Sequence, residues 1–399
     1  MMNEDKRQPN ETASDRAARR RRQQKATDRV CVTAAALVIT LVLLLGCVFS
    51  LTGQDKAYSE NENRWLAGKP RLTFSSLADG KFMKDAETYF SDQFPLRDRL
   101  VRARTYIAIF CGQSERNDVY IGKKHFLFEK PAAYEEERMN ATLGAIDGVS
   151  RRYPDVRSFI AVAPNASEIL PELLPHNAPR QDQTAQIQKI YESLPEITSV
   201  DLCAAFKDAG HRDRLYYRTD HHWTTAGAEL AFRKIAETMG LDTRGSSYIS
   251  YPVCSDFQGT LASSAGFFRA QDTISVIVPG TELKYTVNYT DEKITRPSVF
   301  DLSKLSQKNR YEVFFGGNFA QVRIETDAAS DRKLLIVKDS YANCLVPMLL
   351  PYFKTVIMVD PRYYRGNFDQ LMERETVTDM LWLYNANTLL TDTSIAARM

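Results

Sequence analysis

Histidine and cysteine are both scarce, at five and six residues in a chain of 399. No two cysteines stand at the CxxC or zinc-like spacing that a structural metal site or a redox pair needs, so neither is indicated. Cys31 and Cys47 lie in one apolar run, while Cys111, Cys203, Cys254 and Cys344 are scattered beyond it. Four dispersed cysteines suit disulfides or buried free thiols equally, and no pairing is assigned. Excess charge of either sign is also missing. The formal net charge is +2, and the first 29 residues carry nine Lys/Arg against five Asp/Glu, which leaves the remainder at about −2. A near-neutral body lacks the concentrated basic face of a nucleic-acid binder. No internal repeat or long low-complexity segment is visible, and 44% apolar content over this length is enough for a sizeable core.

Long apolar runs are few, and the first is unlike the rest. From Val30 to Gln54, "VCVTAAALVITLVLLLGCVFSLTGQ", no residue is charged. At ~1.5 Å per helical residue this run crosses a hydrocarbon layer of ~30 Å. The block before it, "RAARRRRQQKATDR" (Arg16 to Arg29), places the N-terminus in the cytoplasm by the positive-inside rule. The chain therefore divides into a basic tail (1–29), a transmembrane anchor (30–53), a polar stalk (54–74) and an extracytoplasmic domain (75–399). A cleaved signal peptide has a shorter apolar core and a small-residue cleavage site, neither of which is clear. A lipoprotein box ending at Cys47 would have a small residue where Leu45 stands and a polar sequence where "VFSL" follows.

Beyond the stalk, Phe82, Ala86, Tyr89, Phe90 and Phe94 recur at helical steps from Ser75 up to Pro95, and a second helix is expected from Leu96 to about Cys111. Short, β-branched or continuous apolar runs follow in alternation with helical stretches: "VRSFIAVAP", "TSVDL", "KLLIVK", "KTVIMVD" and "TDMLWLY". Such runs are strands buried on both faces of a parallel sheet, and their alternation with helices predicts a three-layer α/β domain. Between about 247 and 332 the texture changes to short alternating strands with a "GGN" turn, which reads as a β-rich insertion.

In open parallel sheets the ligand crevice lies beyond the carboxyl ends of the strands. Asp339 and Ser340, Asp360 and Arg362, and Asn385 with Asn387 all fall at such ends. Ser340 sits where a strand turns directly into a helix, near unpaired backbone N–H groups, which suits either a helix cap or a nucleophile. A nucleophile needs a base. Of the five histidines, only His221 and His222 lie in a dense polar motif, "TDHHWT". In an extended segment Asp220 and His222 share a face while His221 points away. A carboxylate held on one imidazole nitrogen leaves the other free to take a serine proton, so Asp220 orients and His222 is the base. Adjacent histidines also bind metals, but no third ligand stands at metal spacing, and no metal or cofactor is expected.

Taken together, "SENENRWLA", "DQFPLRDR", "TDHHWT", "FFGGN", "VKDSYAN", "VDPRYY" and "LYNAN" resemble the DHHW family, in the alginate O-acetyltransferase-like branch of the SGNH hydrolase superfamily. The resemblance implies an SGNH-hydrolase-like fold with permuted motif order, the Asp-x-His-Trp element preceding the serine. It implies Asp220, His222 and Ser340 as a triad, and an oxyanion hole made by the Ser340 N–H and an asparagine, Asn385 or Asn387. The "YNAN" element departs from the Gly-x-Asn-Asp spelling of ordinary SGNH enzymes. Arg362 is a substrate-binding candidate or the partner of Asp360, and His221 and Tyr341 are further substrate-side candidates. The implied activity is acetyl transfer to a cell-surface or secreted polysaccharide through an acetyl-serine, with a membrane-bound O-acyltransferase as donor partner. A carbohydrate esterase with the same triad, or a non-catalytic surface scaffold on a retained fold, are the alternatives.

Overall fold

The apolar runs of the sequence become strands of one sheet because each offers β-branched or aromatic side chains to both faces. The structure is a computed structural model and describes residues 13–59 and 64–399. In chain order the strands are β1 (Arg157–Ala163), β2 (Thr198–Val200), β3 (Tyr285–Tyr289), β4 (Ile294–Arg296), β5 (Gln321–Thr326), β6 (Lys333–Lys338), β7 (Thr355–Val359) and β8 (Asp379–Asn385). They form an eight-stranded sheet in the order β4-β3-β5-β7-β6-β8-β1-β2. The five strands from β7 to β2 are parallel, with Ile336 of β6 opposite Met358 of β7 on one side and Leu381 of β8 on the other.

Alternate residues of β6 feed opposite cores. Leu334 and Ile336 join the cluster that includes Trp223, Ala228, Phe232 and Ile235, whereas Leu335 and Val337 join the cluster under helix Glu136–Arg152 and helix Phe368–Glu375. The fold is α/β and three layers deep, with a core on each face of the sheet. Its β-rich segment divides in two: Tyr248–Phe257 and Asp272–Pro279 pair as a separate antiparallel ribbon, while β3, β4 and β5 continue the main sheet with antiparallel pairing. The sheet is consequently mixed. The antiparallel extension costs no crossover helix, since antiparallel strands can be joined by short turns.

Compact packing divides the chain at Leu100/Val101, inside helix Arg97–Phe110. In the first unit, helix Ala13–Thr52 contains the apolar run up to Thr52, and Gln24–Phe49 is long and apolar enough to cross a membrane. Residues 1–12 of the expected basic tail, and 60–63 of the expected stalk, lie outside the described residues. The helix expected from Ser75 is two helices, Phe74–Ala78 and Lys81–Gln93, because Gly80 between them adopts a left-handed φ of 74°. Two of the sequence motifs meet here: Asp92 of "DQF" accepts from both Arg64 of "NRW" and the Ala67 N–H.

Because Ile336 is fully buried at the centre of the sheet, Ile336→Ala is expected to lower unfolding free energy by about 2–5 kcal/mol. Urea denaturation followed by tryptophan fluorescence would measure this, and a loss below about 1 kcal/mol would contradict the packing described.

Candidate active site

The "DHHW" tetrapeptide closes a tight loop. Tyr216 and Trp223 form an antiparallel bridge, the Tyr217 N–H donates to the His222 carbonyl, and Thr224 then caps helix Thr225–Thr238 by accepting from the Gly227 N–H. The segment is thus turned rather than extended, which corrects the expectation for His221. Its ring does not point away; it lies 4.0 Å from the His222 ring, centroid to centroid. Asp220 and His222 nonetheless face one another, with His222 Nδ1 2.6 Å from Asp220 Oδ1.

Ser340 follows β6 directly and opens the short 3-10 turn Ser340–Cys344. Its Oγ lies 2.8 Å from His222 Nε2. A carboxylate can only accept, so His222 carries its proton on Nδ1 and presents a bare Nε2 to the serine hydroxyl. Asp220 is saturated: Oδ1 accepts from His222 Nδ1 and from the His222 N–H, and Oδ2 accepts from the Thr260 N–H at 2.8 Å and the Thr260 hydroxyl at 3.0 Å. With the Thr260 hydroxyl donating to Asp220, His221 Nδ1 donates to Thr260 Oγ1 at 2.9 Å and leaves its own Nε2 as an acceptor. The ligand atoms of Asp220, His221 and His222 come within 4.8 Å of one another. Both His222 nitrogens and both Asp220 oxygens are already engaged, so the donor set favours proton transfer over holding a cation.

Other elements lock this arrangement. Tyr311 stacks on His222 at 3.8 Å with 13° between the planes, and its hydroxyl donates to the Ser340 carbonyl. Trp223, fully buried, donates from Nε1 to the Tyr341 carbonyl at 3.0 Å, which ties the histidine loop to the serine turn. Asp339 accepts from the Tyr341 N–H and the Asn385 N–H, joining the ends of β6 and β8. Burial raises the Asp339 carboxyl, against these N–H groups and Arg362. The Ser340 N–H has no hydrogen-bond partner among the described residues.

The remaining predicted residues are placed as follows. Tyr341 is buried and its hydroxyl donates to the His221 carbonyl, so it braces the loop. Arg362 forms a two-pronged pair with Asp360, at 2.8 and 2.6 Å, and its charge reaches His222. Asn385 donates to the Ala163 carbonyl and caps the following helix. Asn387 donates to Glu129 and to the Lys130 carbonyl, and accepts from the Ala132 N–H. Neither asparagine side chain bonds to Ser340 or His222. Sequence reasoning missed Tyr311, Thr260 and Gly259. A Cβ on Gly259 would stand 2.2 Å from Asp220 Oδ2, so only glycine admits the carboxylate there.

With this geometry in view, comparison with known proteins is direct. Residues 119–294 match the family model described as the SGNH hydrolase-like domain of acetyltransferase AlgX. Over that stretch the chain is similar to an SGNH hydrolase-like domain. Over 172 residues it is 27% identical to the probable alginate O-acetylase AlgJ of Pseudomonas putida, covering 41% of this chain and 45% of that protein. The Azotobacter vinelandii counterpart is 24% identical over 188 residues, 43% of this chain and 47% of that one. This chain therefore spans less than half the length of these curated relatives. Among solved structures, a DHHW family protein from Eubacterium siraeum superposes with TM-score 0.61 at 23% identity, covering 71% of this chain and 97% of that one. PatB1 of Bacillus cereus superposes with TM-score 0.58 at 17–18% identity, covering 68–69% and 97–98%. These two likenesses show a shared fold. The family match includes Asp220 and His222 but stops before Ser340, whose place beside them is read from the structure.

Burial, then the charges of His221 and Arg362, push His222 down to about 4, against the upward pull of Asp220. Burial alone would raise Asp220, but the two imidazoles and the Thr260 N–H outweigh it and hold the carboxyl below the usual range. His222 should therefore titrate near pH 4 by imidazole NMR. His221→Gln should raise that midpoint, and Asp220→Asn should lower it further, because the attraction that favours the imidazolium is gone. A rise in Asp220→Asn would contradict the arrangement.

Proposed function

We propose that this chain is an extracytoplasmic O-acetyltransferase that modifies a cell-surface or secreted polysaccharide through an acetyl-serine. The observation that carries the reading is the unbroken hydrogen-bond chain from Ser340 Oγ through His222 to Asp220. In the first half-reaction His222 Nε2 takes the Ser340 proton as Oγ attacks the acetyl carbonyl. Collapse of the tetrahedral intermediate expels the donor oxygen, which receives the proton back from His222. In the second, a sugar hydroxyl gives its proton to His222 and attacks the acetyl-serine carbonyl, and Ser340 leaves with that proton restored. Asp220 holds the tautomer and stabilises the transient imidazolium. The Ser340 N–H is free to meet the developing oxyanion.

The likeness to probable alginate O-acetylases supports an acetyl group as cargo and a polysaccharide as acceptor. The basic segment ahead of an apolar, span-length helix supports an anchor with a cytoplasmic N-terminus and the 75–399 portion outside. In that compartment the donor is a partner rather than a soluble cofactor, and a membrane-bound O-acyltransferase suits the role. Ser340 is partly open to solvent, so water competes with the sugar as acceptor, and carbohydrate esterase is the second reading.

Incubating the full chain in detergent with a chromogenic acetyl ester, with and without an oligosaccharide acceptor, tests both. Transfer to the sugar supports the transferase, and acetate release unaffected by acceptor supports the esterase. Ser340→Ala should lose activity by about 10³-fold or more. Equal rates for wild type and Ser340→Ala would sink the acyl-serine mechanism. The base must be neutral, so the acid limb of kcat/KM should fall at about pH 4, not near the ordinary histidine value. A limb above pH 6 would rule out His222 in the environment described.

A further inference from the structure

The oxyanion of an acyl-serine reaction needs a second donor beside the Ser340 N–H, and both asparagines expected from the "YNAN" element are occupied elsewhere. A different asparagine is bonded to the serine turn through Asn343. Asn318 ends the "FFGGN" turn, and its Oδ1 accepts from Asn343 Nδ2 at 3.0 Å and from Lys338 Nζ at 3.3 Å. Lys338 also donates to Asn343 Oδ1 at 2.9 Å. An ammonium group can only donate, so Lys338 fixes the orientation of both amides. Asn343 must turn its Nδ2 toward Asn318, and Asn318 must turn its own Nδ2 outward. That Nδ2 has no partner among the described residues, and the residue is exposed.

The anchoring residues bracket the serine. Lys338 lies two residues before Ser340 and Asn343 three after it, in a 3-10 turn where side chains three apart eclipse one another. Asn343 and Ser340 therefore project from the same side of one turn, and Asn318 is bonded to the former. The segment leading to Asn318 is also pinned to the site, since Tyr311 stacks on His222 and donates to the Ser340 carbonyl. Between them Phe315, Gly316 and Gly317 adopt consecutive φ values of 64°, 83° and 130°. A run of left-handed residues that includes a phenylalanine is costly and persists only where its surroundings hold it. Here the Phe315 carbonyl accepts from the Tyr289 hydroxyl at 2.8 Å and its N–H donates to the Val299 carbonyl at 2.7 Å.

We propose that Asn318 Nδ2 is the side-chain donor to the acyl oxygen at Ser340, oriented by Lys338 and Asn343. The assignment rests on the acyl-serine reading above. The donor thus comes from a turn ahead of the nucleophile in the chain, and not from a strand end after it. Lys338 and Asn343 are positioning residues, since their bonds end on Asn318.

Asn318→Asp is the discriminating variant. It keeps an oxygen for Lys338 and Asn343 and nearly the same shape, but replaces the outward N–H₂ by an oxygen that repels an oxyanion. With the chromogenic acetyl ester, kcat should fall about 100-fold or more, with KM within about threefold and the thermal midpoint unchanged. Asn318→Ala should show a similar kcat loss, and Asn385→Ala and Asn387→Ala should not reproduce it at equal stability. Wild-type kcat in Asn318→Asp, alongside an inactive Ser340→Ala, would overturn this proposal and leave the acyl-serine reading standing. A loss in Asn385→Ala with Asn318→Asp unaffected would return the role to the strand end. Equal rates for wild type and Ser340→Ala would remove both the reading and this proposal.

Discussion

The hydrogen bond between Ser340 and His222 joins residues 118 positions apart, and most of the surrounding structure serves to hold its two ends in register. Each end sits on a turn that would not keep its shape alone. The histidine loop is held by the Tyr216–Trp223 bridge and by Thr260 and Gly259 around Asp220. The serine turn is held by Asp339 and by β6 at the centre of the sheet. Trp223 then ties one turn to the other, through its bond to the Tyr341 carbonyl. The proposed acyl-serine chemistry needs positional accuracy of about 0.5 Å, and a rigid sheet with braces on two sides supplies it.

Burial of charge around this pair follows one rule: each buried ion is met by its opposite or by oriented N–H groups. Asp220 takes four hydrogen bonds. Asp360, fully buried, faces both Arg362 and Lys338. Lys338, almost fully buried, spends its ammonium on Asp360, Asn318 and Asn343, while burial lowers its pKa. Removing one member of such a set strands a charge in a poorly polarisable interior. The same low polarisability strengthens the Asp220–His222 interaction on which the proposed proton transfer relies.

Much of this was legible from residues alone. The runs "KLLIVK", "TVIMV" and "DMLWLYN" are strands at the positions their apolar continuity indicates, with Asp339–Ser340, Asp360 and Asn385 at adjacent carboxyl ends. Other features left no such trace. Nothing in the spacing of Gly259, Thr260 or Tyr311 points to Asp220 and His222, because these contacts cross between elements distant in sequence. The β-rich segment reads as an insertion because short alternating strands look alike whether they form a ribbon of their own or extend a sheet. Edge pairing is decided by which strand lies free, and that depends on the assembled fold. His221 was set on the wrong side because period-two alternation holds for strands, and this segment is a turn.

The sequence by itself determined the elements, the span-length apolar helix, and the chemical types that a Ser-His-Asp relay requires, since these follow from local periodicity and from the few residues able to move a proton. Tertiary structure alone decided which side chains share a space: that Ser340 meets His222, that Asn385 and Asn387 are spent on structural bonds, and that Asn318 is held beside the serine turn by Lys338 and Asn343. The reason is physical. Periodicity encodes the face of an element, but hydrogen bonds across elements depend on distances of about 3 Å that only the packed sheet and its braces set.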